Sequence, residues 1–307
     1  MSTIRITQRL MTERSMTAMQ TGMNRLARSQ EQLSTGRQIN RPSDSPAGTN
    51  SAMRLREQMA ADAQHSRNAA DGLSWLGRTD NTLTTMVDAT RRARDILVQG
   101  ANGSMGPQSK QALAAEMRQI RDNVFALANT QHLGRPLFGG TTDQPGAYVE
   151  GTGADAGKYF FVSDDPANPT PVPGDVTRRV GTDVSVKIST LGPEAFGAGD
   201  DNLFNILTQA ADAIENGTAS DFLDDVDGAM DKMMTALADV GTRYGRVEKA
   251  QAAAQNAELD MQAMLSEVEN VDIAKAIVDL QMQEVAYQAA LGATARVIQP
   301  SLLDFLR

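Results

Sequence analysis

The sequence predicts a mainly α fold with a small inserted β domain, in which both chain ends contribute to a long antiparallel helical bundle or coiled coil. Three observations in the 307 residues predict it. Apolar residues recur at alternating three- and four-residue spacings near both ends, the stripe that a helix presents to another helix. Aromatic residues are only 4% of the chain against 41% apolar, so Ala, Leu, Met and Val fill most apolar positions, as in narrow helix seams. Glycine, proline and β-branched runs concentrate in one central stretch.

The first helical pattern runs through Met16, Met19, Met23, Leu26, Gln30 and Leu33 and stops at Ser34-Thr35-Gly36, glycine being a common helix terminator. The connector from Asn40 to Gly48 carries Pro42 and Pro46 beside Ser43, Asp44 and Ser45, which breaks the helix and favours turns. A long helix follows from about Asn50 to Gln99, with Leu73, Leu76, Leu83, Val87 and Leu97 on its seam. A shorter one spans about Ser109 to Asn129, with Ser109 as its expected N-cap.

Between Gly134 and Gly199 the pattern changes. Lys158–Val162 and Asp183–Ile188 read as strands, the second with Val184, Val186 and Ile188 on one face. Helix resumes at Leu203 and breaks at Asn216-Gly217. Another long helix is expected from about Ser220 to Asn270, with one extra three-residue step at Val247 to Ala250. A final helix carries Ile273, Ile277, Leu280, Glu284, Tyr287, Leu291, Thr294 and Ile298, with Pro300 expected to close it.

Composition narrows the function. A net charge of −9 argues against nucleic acid or an anionic membrane as the main partner. Arg91, Arg92 and Arg94 are the densest basic cluster and read as a solvated helix face. With no cysteine there is no disulfide, thiolate site or cysteine nucleophile. No stretch approaches 18 consecutive apolar residues, and the N-terminal residues lack a secretory-type apolar run. His65 and His132 have no carboxylate pattern around them and read as packing residues. Gly151–Gly157 superficially resembles a phosphate loop, but a strand follows it, so a hairpin connection is expected. Asp200-Asp201-Asn202 precedes a helix and reads as a cap. The sequence therefore predicts no catalytic, cofactor or metal site: the expectation is a structural assembly protein rather than an enzyme.

Leu33–Asn40 followed by Pro42–Gly48 resembles the N-terminal signature of the flagellin superfamily. Asp95–Gly103 is similar to the end of that family's first long helix, and Gln299–Arg307 to its C-terminus. Within the superfamily, Pro42-Ser43-Asp44-Ser45-Pro46, Gly134–Thr141, Thr177–Gly181 and Gly192–Gly197 resemble the hook-associated protein 3 type. The resemblance implies a flagellin-like out-and-back topology and a role as a junction subunit connecting hook to filament. It also implies export by the flagellar type III apparatus without a cleaved signal, and a position outside the cell. The implied partners are further copies of the chain, the first hook-associated protein (FlgK type), flagellin and an export chaperone (FlgN type), with no cofactor. Flagellin itself, and a non-flagellar cytoplasmic coiled-coil adaptor or signalling protein, are the alternative readings.

Three layers are then expected. Residues 1–40 and 271–307 are terminal helical assembly segments, disordered in the monomer; 41–133 and 200–270 form a long-helix bundle; 134–199 are an outer β-rich domain. The expected assembly residues are Met16, Met19, Met23, Leu26, Leu33, Ile273, Ile277, Leu280, Tyr287, Leu291 and Ile298.

Overall fold

The computed structural model describes the backbone of residues 2–102, 105–168 and 170–303; side chains are described for the same residues except 2–9, 11 and 296–303. Seven α-helices carry most of it: α1 Ser2–Thr35, α2 Pro46–Gly100, α3 Pro107–Ala128, α4 Gly192–Phe196, α5 Leu203–Asn216, α6 Leu223–Glu269 and α7 Ile273–Leu303. Among the described residues three short hairpins and an isolated antiparallel bridge between Arg37 and Asn270 supply the β structure. The hairpins pair β1 Gln131–His132 with β2 Arg135–Pro136, β3 Tyr148–Glu150 with β4 Tyr159–Phe161, and β5 Thr177–Arg179 with β6 Ser185–Lys187, all antiparallel. The chain divides into two compact units, residues 1–60 with 257–307, and residues 61–256.

In the second unit α2 and α6 run antiparallel, as the out-and-back reading expects. Gly72 of α2 lies beside Val247, and Arg94 binds Asp227. The buried lines repeat every seven residues: Ala69, Leu76, Leu83, Thr90 and Leu97 on α2, and Val226, Met233, Val240, Val247 and Ala254 on α6. A seven-residue repeat keeps one face of each helix turned to its partner. The extra step expected at Ala250 does not interrupt this line, because Ala250 is only half-buried on its flank. Thr79 and Thr90 are buried in the seam without a polar cost, since each hydroxyl donates to the carbonyl four residues back. Arg91, Arg92 and Arg94, expected as a solvated face, are each ion-paired: to Asp88, to Glu116 of α3 and to Asp227 of α6.

The hairpins do not form a core of their own. Two-stranded ribbons of two or three residues cannot bury enough surface to stand alone, and they pack into the same cluster as the helices. Tyr148 meets Phe204 of α5 at 4.7 Å between ring centres, Phe138 meets Phe196 of α4 at 4.9 Å, and Phe125 of α3 meets Tyr159 at 4.8 Å. The few aromatics of the chain are gathered where hairpins lean on helices, which is why they are scarce elsewhere. The boundary expected at residue 134 falls inside the first hairpin. Asn129, just past α3, fixes the next one: its Oδ1 accepts from the amides of Ala147 and Tyr148, and its Nδ2 donates to the Tyr148 carbonyl.

Local expectations fare variously. Gly151–Gly157 is a hairpin connection between β3 and β4, containing a 3-10 turn at Gly153–Asp155. Asn202 caps α5 by accepting from the Asn205 amide, and Gly217 ends that helix in the left-handed conformation. Gly106, not Ser109, is the N-cap of α3, because Pro107 occupies the first helical position, where a missing N–H costs nothing. Val184 lies before β6, in the turn, and is exposed, while Val186 and Ile188 are buried. Helix α7 continues past Pro300 to Leu303: the hydrogen bond that proline forfeits falls in the final turn, where few bonds remain to be lost.

Candidate assembly interface

The first unit is organised around the connector after α1. Gly36 has φ +70° and its amide bonds back to the Gln32 carbonyl, closing α1 with a residue that tolerates the left-handed region. Asp44 then ties the turn, its Oδ2 accepting from the amides of Arg41 at 2.9 Å and Asn40 at 3.3 Å. Ser45 Oγ accepts from the Gly48 amide at 3.1 Å, the geometry of an N-cap, and Pro46 opens α2. A Cβ on Gly48 would stand 2.5 Å from Ile39 Cδ1 and 2.9 Å from Ser45 Oγ, so a larger residue there would require both side chains to shift. Each residue of Asp44-Ser45-Pro46 therefore has a separate task in the same turn.

The turn also joins the two ends of the chain. Gln38 donates to the Glu269 carbonyl at 2.7 Å and Val271 donates to the Gly36 carbonyl at 3.0 Å. With the termini of α1 and α7 brought together there, the two helices pack antiparallel. Gly22 faces the Tyr287 ring, and Ser29 Oγ donates to Gln283 Oε1 at 3.1 Å.

The register of this pairing is the main result at the site. On α1 the residues turned inward are Ser15, Met19, Gly22, Leu26, Ser29 and Leu33; on α7 they are Ala276, Leu280, Gln283, Tyr287, Ala290 and Thr294. Both sets are heptad-spaced, but three of the six on α1 and four of the six on α7 are small or polar. Of the expected assembly residues, Met19, Leu26, Leu33, Leu280 and Tyr287 lie in this intrachain seam. Met16, Met23, Ile273, Ile277 and Leu291 lie outside it and are exposed, Met16 at 58% and Met23 at 60%. The side chain of Ile298 is outside the described residues.

Helix α7 carries a further apolar stripe that sequence reasoning missed: Val278, Met282, Val285 and Ala289, all exposed. At 100° per residue its centre lies about 200° around the helix from the α1-facing seam. The sign of it in the sequence was a second four-three-four spacing, masked by the stronger Ile and Leu stripe beside it. Helix α7 is thus apolar on more faces than one partner helix can cover. Between α1 and α7 runs a groove of about 740 Å³, lined in part by Leu10, Thr17, Ala18, Ala286 and Ala290.

Among the described residues no cluster of His, Asp and Glu is arranged to hold a metal, and no helix is long and apolar enough to cross a membrane. The fold and the site define a helical structural protein whose paired ends leave apolar stripes exposed. The comparisons with known proteins then give the family. Residues 6–143 match the bacterial flagellin N-terminal helical region and residues 223–306 the C-terminal helical region, and the chain belongs to the flagellin family, whose members are structural and not enzymes. It is 24% identical over 304 residues to flagellar hook-associated protein 3 of Salmonella typhimurium, covering 94% of this chain and 95% of the relative. It is 27% identical over 283 residues to flagellin FlaB2 of Treponema pallidum, covering 90% and 91%. Among solved structures, a flagellar hook-associated protein from Vibrio parahaemolyticus superimposes with a TM-score of 0.64 at 21% identity, covering 74% of this chain and all of that one. Hook-associated protein 3 from Legionella pneumophila superimposes with a TM-score of 0.60 at 12% identity, over 70% of this chain and 98% of that one.

Proposed function

We propose that the chain is the junction subunit between the flagellar hook and the filament, and that it assembles with copies of itself through α1 and α7. The observation that carries the self-association is the surplus of apolar surface on those helices. The intrachain seam is satisfied by small and polar residues, yet Met16, Met23, Ile273, Ile277, Val278, Met282, Val285 and Leu291 stay exposed. Burying each such side chain contributes about 1.5–3 kcal/mol, which the single chain does not collect. The same weakness of the intrachain seam supports terminal segments 1–40 and 271–307 that become fully ordered only on assembly. The junction role rests on the likeness to hook-associated protein 3 over nearly the whole length.

In this reading the first hook-associated protein lies on one side and flagellin on the other. The subunit is kept unassembled by a dedicated chaperone, then exported by the flagellar type III apparatus without a cleaved signal, to act outside the cell. Gold-labelled antibody on purified flagella tests it: label should sit at one band where hook meets filament. Label along the whole filament would instead identify a flagellin, a reading favoured by the match to filament proteins of Treponema. Retention in the cytoplasm would overturn both.

A further inference from the structure

We propose that the exposed methionines of the first unit are oxidation sites, and that their conversion to sulfoxides blocks assembly of the free subunit; this rests on the self-association just proposed. Among the described residues the fully buried methionines lie in the second unit and most of the exposed ones in the first. Met86, Met117 and Met233 of the second unit are fully buried. Met16, Met23, Met53, Met264 and Met282 of the first unit are all exposed, Met282 at 64%. Met234 alone is comparably exposed in the second unit among the described residues. The thioether of methionine is the main readily oxidised sulfur this chain has, since it contains no cysteine.

Position makes these sulfurs consequential. Met16 and Met23 are seven residues apart on the same flank of α1, and Met282 is at the centre of the outer α7 stripe between Val278 and Val285. Methionine suits such a surface because its unbranched, polarisable side chain adapts to an irregular partner. With hydrogen peroxide as oxidant, the thioether sulfur attacks one peroxide oxygen, the O–O bond breaks, and the products are a sulfoxide and water. Sulfur gives up two electrons and peroxide accepts them. The result is a polar S=O group on surfaces that must be stripped of water to associate. Once the subunits have assembled, the same sulfurs are covered, so the free subunit is the vulnerable form.

The test exposes the purified full chain to hydrogen peroxide, locates oxygen by peptide mass spectrometry as an added mass of about 16 Da, and measures attachment of labelled protein to hooks of a strain lacking the gene. Sulfoxide is expected at Met16, Met23, Met53, Met264 and Met282 and also at Met234, with Met86, Met117 and Met233 spared. Attachment is expected to fall by about tenfold or more, while a variant carrying leucine at the five positions attaches equally before and after peroxide. Unchanged attachment of fully oxidised protein would overturn the inference and leave the assembly reading standing. Equal loss in the leucine variant would also overturn it, placing the damage elsewhere. Failure of untreated protein to attach would overturn the junction reading, and the inference with it.

Discussion

Arg56 of α2 and Glu269 at the end of α6 form an ion pair of 2.7 Å in which the carboxylate is nearly buried, its side chain 11% exposed. The Glu269 carbonyl also receives the Gln38 amide, so this residue fixes both the α2–α6 pair and the turn that joins α1 to α7. Arg56→Ala leaves that carboxylate without its cation, at a cost of about 1 kcal/mol after allowing for the exposure of the arginine. The expected result is roughly fivefold faster hydrogen exchange at the amides of Gln38 and Val271, with the second unit unaffected.

Leu26 and Leu291 separate folding from assembly. Leu26 is half-buried in the α1–α7 seam, whereas Leu291 is exposed on a flank of α7. Leu26→Asp is expected to lower helicity of the isolated subunit and to abolish hook attachment. Leu291→Asp should leave the circular dichroism spectrum unchanged and still reduce attachment. Normal attachment of the Leu291 variant would remove that flank from the interface.

Leu133 is the one described residue other than glycine with positive φ, at +51°, and it is 82% exposed at the tip of the β1–β2 hairpin. With Gly134 at +78° beside it, the two-residue turn has the form that favours Asn-Gly. Leu133→Asn is therefore expected to stabilise the second unit by about 1 kcal/mol, visible as a higher midpoint in urea.

Burial, with a smaller contribution from Asp164, pushes the Tyr148 hydroxyl well above the ordinary tyrosine value of 10.0. Burial lowers the Lys187 value, but bonds to Asp175 and Glu194 outweigh it and leave the ammonium above its ordinary 10.5. Both folded-state values are raised, so the stabilisation is complete below the unfolded-state values and is lost as pH rises beyond them. In denaturant titrations the contribution of these two groups should be level up to about pH 10 and fall above it. Tyr148→Phe removes the hydrogen bond to the Gly197 carbonyl, costing about 1 kcal/mol at neutral pH, and makes the alkaline decline shallower.

The long helices were legible because their signal is periodic and their lengths allow it to repeat: Leu76, Leu83 and Leu97 are legible as a seam from spacing alone. The register of the outer pair was less so. Met16 and Ser15 are neighbours on adjacent faces, and a hydrophobicity stripe selects the methionine, whereas close packing selects the serine because Gly22 and Ser29 share its line. Apolar pattern thus picked out residues on both surfaces, Met19, Leu26 and Leu33 in the seam and Met16 and Met23 outside it, without separating them. The placement of the hairpins in the common core was not legible, since Tyr148 and Phe204 meet across 56 residues of sequence with no local mark of the encounter.

The seven-residue repetition of the α2–α6 seam has a cost in folding fidelity. A helix pair whose apolar layers recur at equal intervals fits nearly as well when displaced by one repeat, about 10 Å along the axis. Only features that do not recur can reject the slipped pairing. Arg94 and Asp227 are one such feature, since a one-repeat slip would part them; the small Ala69 and Ala254 within otherwise bulkier lines are another. Each time the chain folds it meets this ambiguity anew, and those few singular residues act as its alignment marks.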